Sequence, residues 1–168
     1  QKNPELLGLD LDISNSSIQV KDILTFVPQL VGQPGFKNPE DILLLNTRMT
    51  GSLTRLYIQE LQLSGFENTR ADFFGTADNI TDLENYSVDV FIRDISTTRE
   101  DMLSFLPPKT IPDSITLPAT MSLKGLVKGG AKSAYVNVAL TTSLGDATVD
   151  GTIANMADTD AASYSAAI

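Results

Sequence analysis

Much of the chain alternates between apolar and polar positions, the period of a strand with one face turned to a core. In Leu6–Ile13, the residues Leu7, Leu9, Leu11 and Ile13 share one side, and Gly8, Asp10 and Asp12 share the other. Tyr86–Ile95 alternates the same way, with Val88, Val90 and Ile92 set against Ser87, Asp89 and Arg93; Phe91 interrupts the polar side. Ser133–Leu144 sets Ala134, Val136, Val138 and Leu140 against Tyr135, Asn137 and Thr141. Asp146–Asn155 sets Ala147, Val149 and Ile153 against Thr148, Asp150 and Thr152. Arg55–Leu63 and Met121–Gly129 predict strands with more mixed faces, and the closing Ser-Tyr-Ser-Ala-Ala-Ile predicts a strand cut partway.

The period changes at two places that nearly copy each other. Asp22–Pro28 reads DILTFVP and Asp101–Pro107 reads DMLSFLP. Met102, Phe105 and Leu106 fall at i, i+3 and i+4, the stripe of a short helix docked on a sheet. Ser16-x-x-Gln19 and Thr97-x-x-Glu100 have capping-box spacing, in which each side chain satisfies a free N–H of the first turn. Pro28 and Pro107 end the helices, and Pro-rich extended crossings follow.

The copying extends outward. Asp12 lies over Asp94 at an offset of 82 and Phe26 over Phe105 at 79, which places a three-residue slip in a loop after Asp-Ile-Ser. Gly51 then matches Gly129, Asn79 matches Asn155, and Tyr86-Ser87 matches Tyr164-Ser165. Two units of about 80 residues are expected, residues 1–83 and residues 84–168, the second truncated as a third begins. The predicted class is mainly β: a curved, mostly antiparallel sheet with one short helix per unit.

Composition removes most chemistry. Histidine and cysteine are both absent. No Ser-His-Asp or Cys-His arrangement, thiol nucleophile, disulfide or His/Cys metal site can therefore form, and no catalytic residue, metal or cofactor is expected. A net charge of −9 opposes binding to phosphate backbones. No apolar run is long enough to span a bilayer as a helix. Asp10/Asp12 and Asp158/Asp160 lack the spacing and glycine of a calcium loop and read as solvated acids. Lys124, Lys128 and Lys132 read as guards of a strand edge.

The second unit resembles the repeated segments of TamB-like proteins, in the wider AsmA-like group. The resemblance is carried by Ile115-Thr116-Leu117-Pro118, then Leu123-Lys124-Gly125 with Lys128-Gly129, then Ser143-Leu144-Gly145-Asp146-Ala147. The first unit has Arg48 and Thr50-Gly51 but neither the I-x-LP nor the S-x-G element. The resemblance implies part of a cell-envelope protein anchored in the inner membrane of a diderm bacterium. It implies an open, taco-like trough in the periplasm that shelters phospholipid acyl chains, with an Omp85-type outer-membrane partner reached through other parts of the parent chain. The groove residues expected from strand parity are Leu9, Leu11, Val88, Val90, Val136, Val138, Leu140, Val149 and Ile153. The alternative is a closed β-sandwich, a structural or adhesive surface module that binds protein or glycan. Open strand edges also predict self-association of the chain.

Overall fold

The computed structural model describes residues 8–26, 31–32, 34–82, 84–106, 111, 116–154 and 163–167. These form nine strands and two seven-residue helices. In chain order they are β1 (Leu9–Gln19), α1 (Val20–Phe26), β2 (Ile42–Gly51), β3 (Arg55–Gly65), β4 (Thr69–Asp78), β5 (Ser87–Thr98), α2 (Arg99–Phe105), β6 (Thr120–Gly130), β7 (Ser133–Thr142), β8 (Gly145–Ala154) and β9 (Ser163–Ala167). A single 3-10 turn, Pro34–Phe36, precedes β2.

The strands lie side by side in sequence order, and each pairs antiparallel with the next. Tight turns impose this meander. Two residues join β6 to β7 and two join β7 to β8, too few for any crossover. Only the β1–β2 and β5–β6 links are long, and each contains a helix.

The sheet is single and open. Beyond neighbouring strands, the main packing is α1 on β1, and α2 on β5 and the 3-10 turn. Among the described residues no second sheet lies over the first, so the closed sandwich does not form.

The helices are where the repeated heptapeptides placed them, but they begin later than the capping boxes predict. Ser16 lies inside β1 and Thr97 inside β5. The N-cap of α2 is Thr98, whose hydroxyl accepts from the Asp101 N–H at 3.3 Å. A strand running straight into the helix uses the earlier hydroxyls on the sheet instead. No loop follows Asp-Ile-Ser in either place: β1 continues to Gln19 and β5 continues past Asp94-Ile95-Ser96 to Thr98. β1 has a bulge between Ile13 and Ser16, and β5 has one between Ile92 and Ile95. Two strands escaped the alternation rule. β2 has Ile42 and Leu44 exposed beside the inward Leu43 and Leu45, and β4 has Phe74 beside Phe73, so neither alternates cleanly. Of the expected crossings, residues 28–30, 33, 107–110 and 112–115 lie outside the described residues.

Candidate functional site

Strand pairing fixes which side chains share a face, because residues directly opposite one another in an antiparallel sheet point the same way. One row runs Leu9, Gly51, Leu56, Ala77, Val88, Gly129, Ala134 and Ile153 across eight strands. The next runs Leu11, Met49, Ile58, Gly75, Val90, Val127, Val136 and Gly151. A third begins at Ile13 and ends with Ile92, Gly125, Val138 and Val149, and Leu140 stands in the row after it. All nine groove residues expected from parity therefore lie on one face. Parity alone ordered residues within a strand; only the register joins Leu9 to Ile153 across the sheet.

The charges divide completely. Every Asp, Glu, Lys and Arg within β1–β8 belongs to the opposite face. Four cross-strand ion pairs lie there: Arg48 with Asp12 at 3.2 Å, Arg55 with Asp78 at 2.8 Å, Arg93 with Asp72 at 3.0 Å, and Lys128 with Asp89. The hydrogen bond that Arg55 donates to Asp78 holds its guanidinium above its ordinary pKa. Asp12 of the expected acid pair is thus ion-paired, and Asp158 and Asp160 lie outside the described residues. Among the described residues no three metal-ligating side chains converge. Lys124 and Lys128 are on β6, between β5 and β7, so they guard no edge. They face solvent on the charged side, and Lys128 is half of an ion pair.

The polar groups on the uncharged face are hydroxyls. Thr47 is buried, and its hydroxyl donates to the Glu60 carbonyl at 2.9 Å. Thr69 and Thr97 share a 2.9 Å hydrogen bond near α2.

Two kinds of irregularity interrupt the sheet. Bulges at Ser14-Asn15, Gln59-Glu60 and Arg93-Asp94 each set two residues against one on the neighbouring strand. All six are polar, and each bulge bends its strand locally. Glycines on the uncharged face are the second kind. Gly75 and Gly125 hold φ near +152° and +141°, conformations open to glycine and strained for any L side chain. A Cβ at Gly75 would strike the Asp89 carbonyl, and one at Gly125 the Asn137 carbonyl. Gly125 sits between Ile92 and Val138, both under a tenth exposed. Backbone closes in where a side chain is missing.

Burial on this face is partial. Leu56, Ile58, Ala77, Ile92, Ala134 and Val138 are buried by their neighbours, whereas Leu9, Leu11, Val88, Val90, Val136, Leu140, Val149 and Ile153 are half-buried. A sealed core leaves side chains such as these fully buried. The strands of this face offer aliphatic surface, few aromatics and no charge, and so favour any apolar chain laid along them by about 0.8 kcal/mol per CH₂ removed from water.

The sequence reading missed a large part of this surface, namely Leu43, Leu45 and Met49 of β2, Leu61 and Leu63 of β3, and Phe73 of β4. The signal for β2 was a run of four apolar residues, Ile42–Leu45, which marks a strand without saying which side is in. No family model, curated protein or solved structure matches the chain.

Proposed function

We propose that the uncharged face is a lipid-bearing surface: a section of a conduit that shelters phospholipid acyl chains between two membranes. The observation that supports it best is the complete segregation of charge to the other face of a single open sheet. An apolar face of eight strands, left without a covering layer among the described residues, is unusual in a soluble domain. Acyl chains suit it because they need no hydrogen bonds and no fixed pocket. The wall provides neither charge nor a row of aromatic anchors, which favours sliding over capture. No residue acts as a catalyst in this reading.

The two-unit reading of the chain belongs to the same proposal. The order strand, helix, three strands occurs over Leu9–Asp78 and again over Ser87–Ala154. A trough built this way lengthens by adding units without changing its lining. The resemblance to TamB-like proteins points the same way. In this reading the chain works in the periplasm, attached to an inner-membrane anchor and reaching toward an outer-membrane partner.

The test uses a photocrosslinker at Val136 and, separately, at Asn137, with the protein in cells. These neighbours lie on opposite faces of β7: Val136 is half-buried on the uncharged face, and Asn137 is exposed and donates to Asp150 at 2.8 Å. Phospholipid adducts are expected at Val136 and not at Asn137. Equal labelling at both, or adducts with protein alone at Val136, would refute the reading.

A further inference from the structure

The two helices are built alike, but the aspartate of one is held by a neighbouring turn and the aspartate of the other is not. Each begins on an N–H captured by the residue just before the returning strand: Val20 donates to Asp41 at 2.9 Å, and Arg99 to Ala119 at 3.0 Å. Each has a hydroxyl bonded back to its own first turn, Thr25 to the Lys21 carbonyl and Ser104 to the Asp101 carbonyl. The third residue of each is an aspartate, Asp22 and Asp101.

Their surroundings differ. β5, which leads into α2, is flanked by β4, and α2 lies against the β3–β4 turn. Asp101 is 4% exposed and accepts from the Asn68 N–H at 2.9 Å and the Thr69 hydroxyl at 2.7 Å. The Phe66 ring of that turn meets Phe105 edge-on, with centroids 4.8 Å apart. β1 has no partner on its outer edge among the described residues, and Asp22 is exposed and takes up no such donors.

We propose that the outer edge of β1, together with Asp22, is a docking site for a β-hairpin of the β3–β4 kind. One strand of the hairpin adds antiparallel to β1. Its tight turn lies against α1 and gives Asp22 a backbone N–H and a hydroxyl. The β4–β5 junction is the pattern, and the specificity follows from it. The strand must alternate so that its apolar residues join the uncharged face, and the turn must carry a Ser or Thr at the position Thr69 occupies. A row of unpaired backbone groups supplies the general affinity, and the aspartate selects the turn. The site stands whether or not the uncharged face carries lipid, since its test reads only the β1 edge.

The experiment adds a peptide with the sequence of Leu61–Phe74 to the full, isotope-labelled chain and follows amide exchange. Alternate β1 amides should become at least tenfold slower to exchange, in a saturable way. Asp22→Ala should weaken the peptide by about tenfold or more with the rest of the spectrum unchanged. A peptide carrying Thr69→Val should bind more weakly to the parent chain and equally to the Asp22→Ala chain. Unprotected β1 amides at millimolar peptide, protection elsewhere only, or undiminished binding by Asp22→Ala would each overturn the proposal. So would a β1 edge already protected without peptide in a protein that sediments as a dimer, because the occupant would then be a second copy.

Discussion

Replacing Asp101 by alanine and, separately, Asp22 by alanine removes the same atom set from two helices of the same sequence pattern. At position 101 the loss removes the carboxylate that accepts from the Asn68 N–H and the Thr69 hydroxyl at 2.9 and 2.7 Å in a buried site, while the Asn68 N–H keeps its 2.9 Å bond to the Phe66 carbonyl. Hydrogen bonds to a charged acceptor are worth about 1.5–3 kcal/mol each. Thr69 keeps its bond to Thr97, so its loss is softened. Alanine also returns a few tenths of a kcal/mol in helix propensity. The expected cost is about 3 kcal/mol, or a fall in Tm of about 6–12 °C for a chain of this length. Asp22→Ala, at an exposed site, should change stability by no more than about 0.5 kcal/mol. Urea unfolding with an unchanged slope measures both. Thr69→Val in the Asp101→Ala background should add less than it costs alone, because the two residues share one interaction. Equal effects at 101 and 22 would refute the reasoning, since the sequence treats the two positions alike and only the flanking turn separates them.

Val138→Asp should cost at least about 3 kcal/mol by burying an unpaired charge, while the adjacent Ala139→Asp, placed opposite Lys124 on the charged face, should stay within about 0.5 kcal/mol; chemical unfolding compares the two. Gly125→Ala should lose about 2 kcal/mol or more, because the new Cβ meets the Asn137 carbonyl at a φ that L residues avoid. Asp82 accepts from the Asn85 side chain and from the N–H groups of Glu84 and Asn85, and these bonds hold its carboxyl below the usual value. Its folded pKa lies under the unfolded one, so its contribution is complete above the ordinary carboxylate range and is lost as pH falls through the depressed value. A carboxyl-carbon titration that places Asp82 at or above the normal aspartate midpoint would contradict this.

The amino-acid sequence determined the strands that alternate, the two helices and the absence of histidine and thiol chemistry. These are local matters: side-chain parity has period two, and Asp-x-Leu-x-Phe before a proline makes one short helix and stops it. Tertiary structure decided the rest. Parity says that Val136 and Asn137 point apart but cannot say that Leu9, Val90 and Ile153 point together. That follows from pairing across eight strands, where a one-residue slip would turn a whole strand over. The bulges that preserve this register each add a single residue among polar side chains, and in sequence they look like loops or alignment slips. The exposed Ile42 and Leu44 hid β2 because an apolar run carries no direction until its neighbours are placed. Asp22 and Asp101 show the same limit in one residue type. Their heptapeptides nearly match, and the buried carboxylate differs from the exposed one only because a turn some 30 residues earlier in the chain folds back onto it.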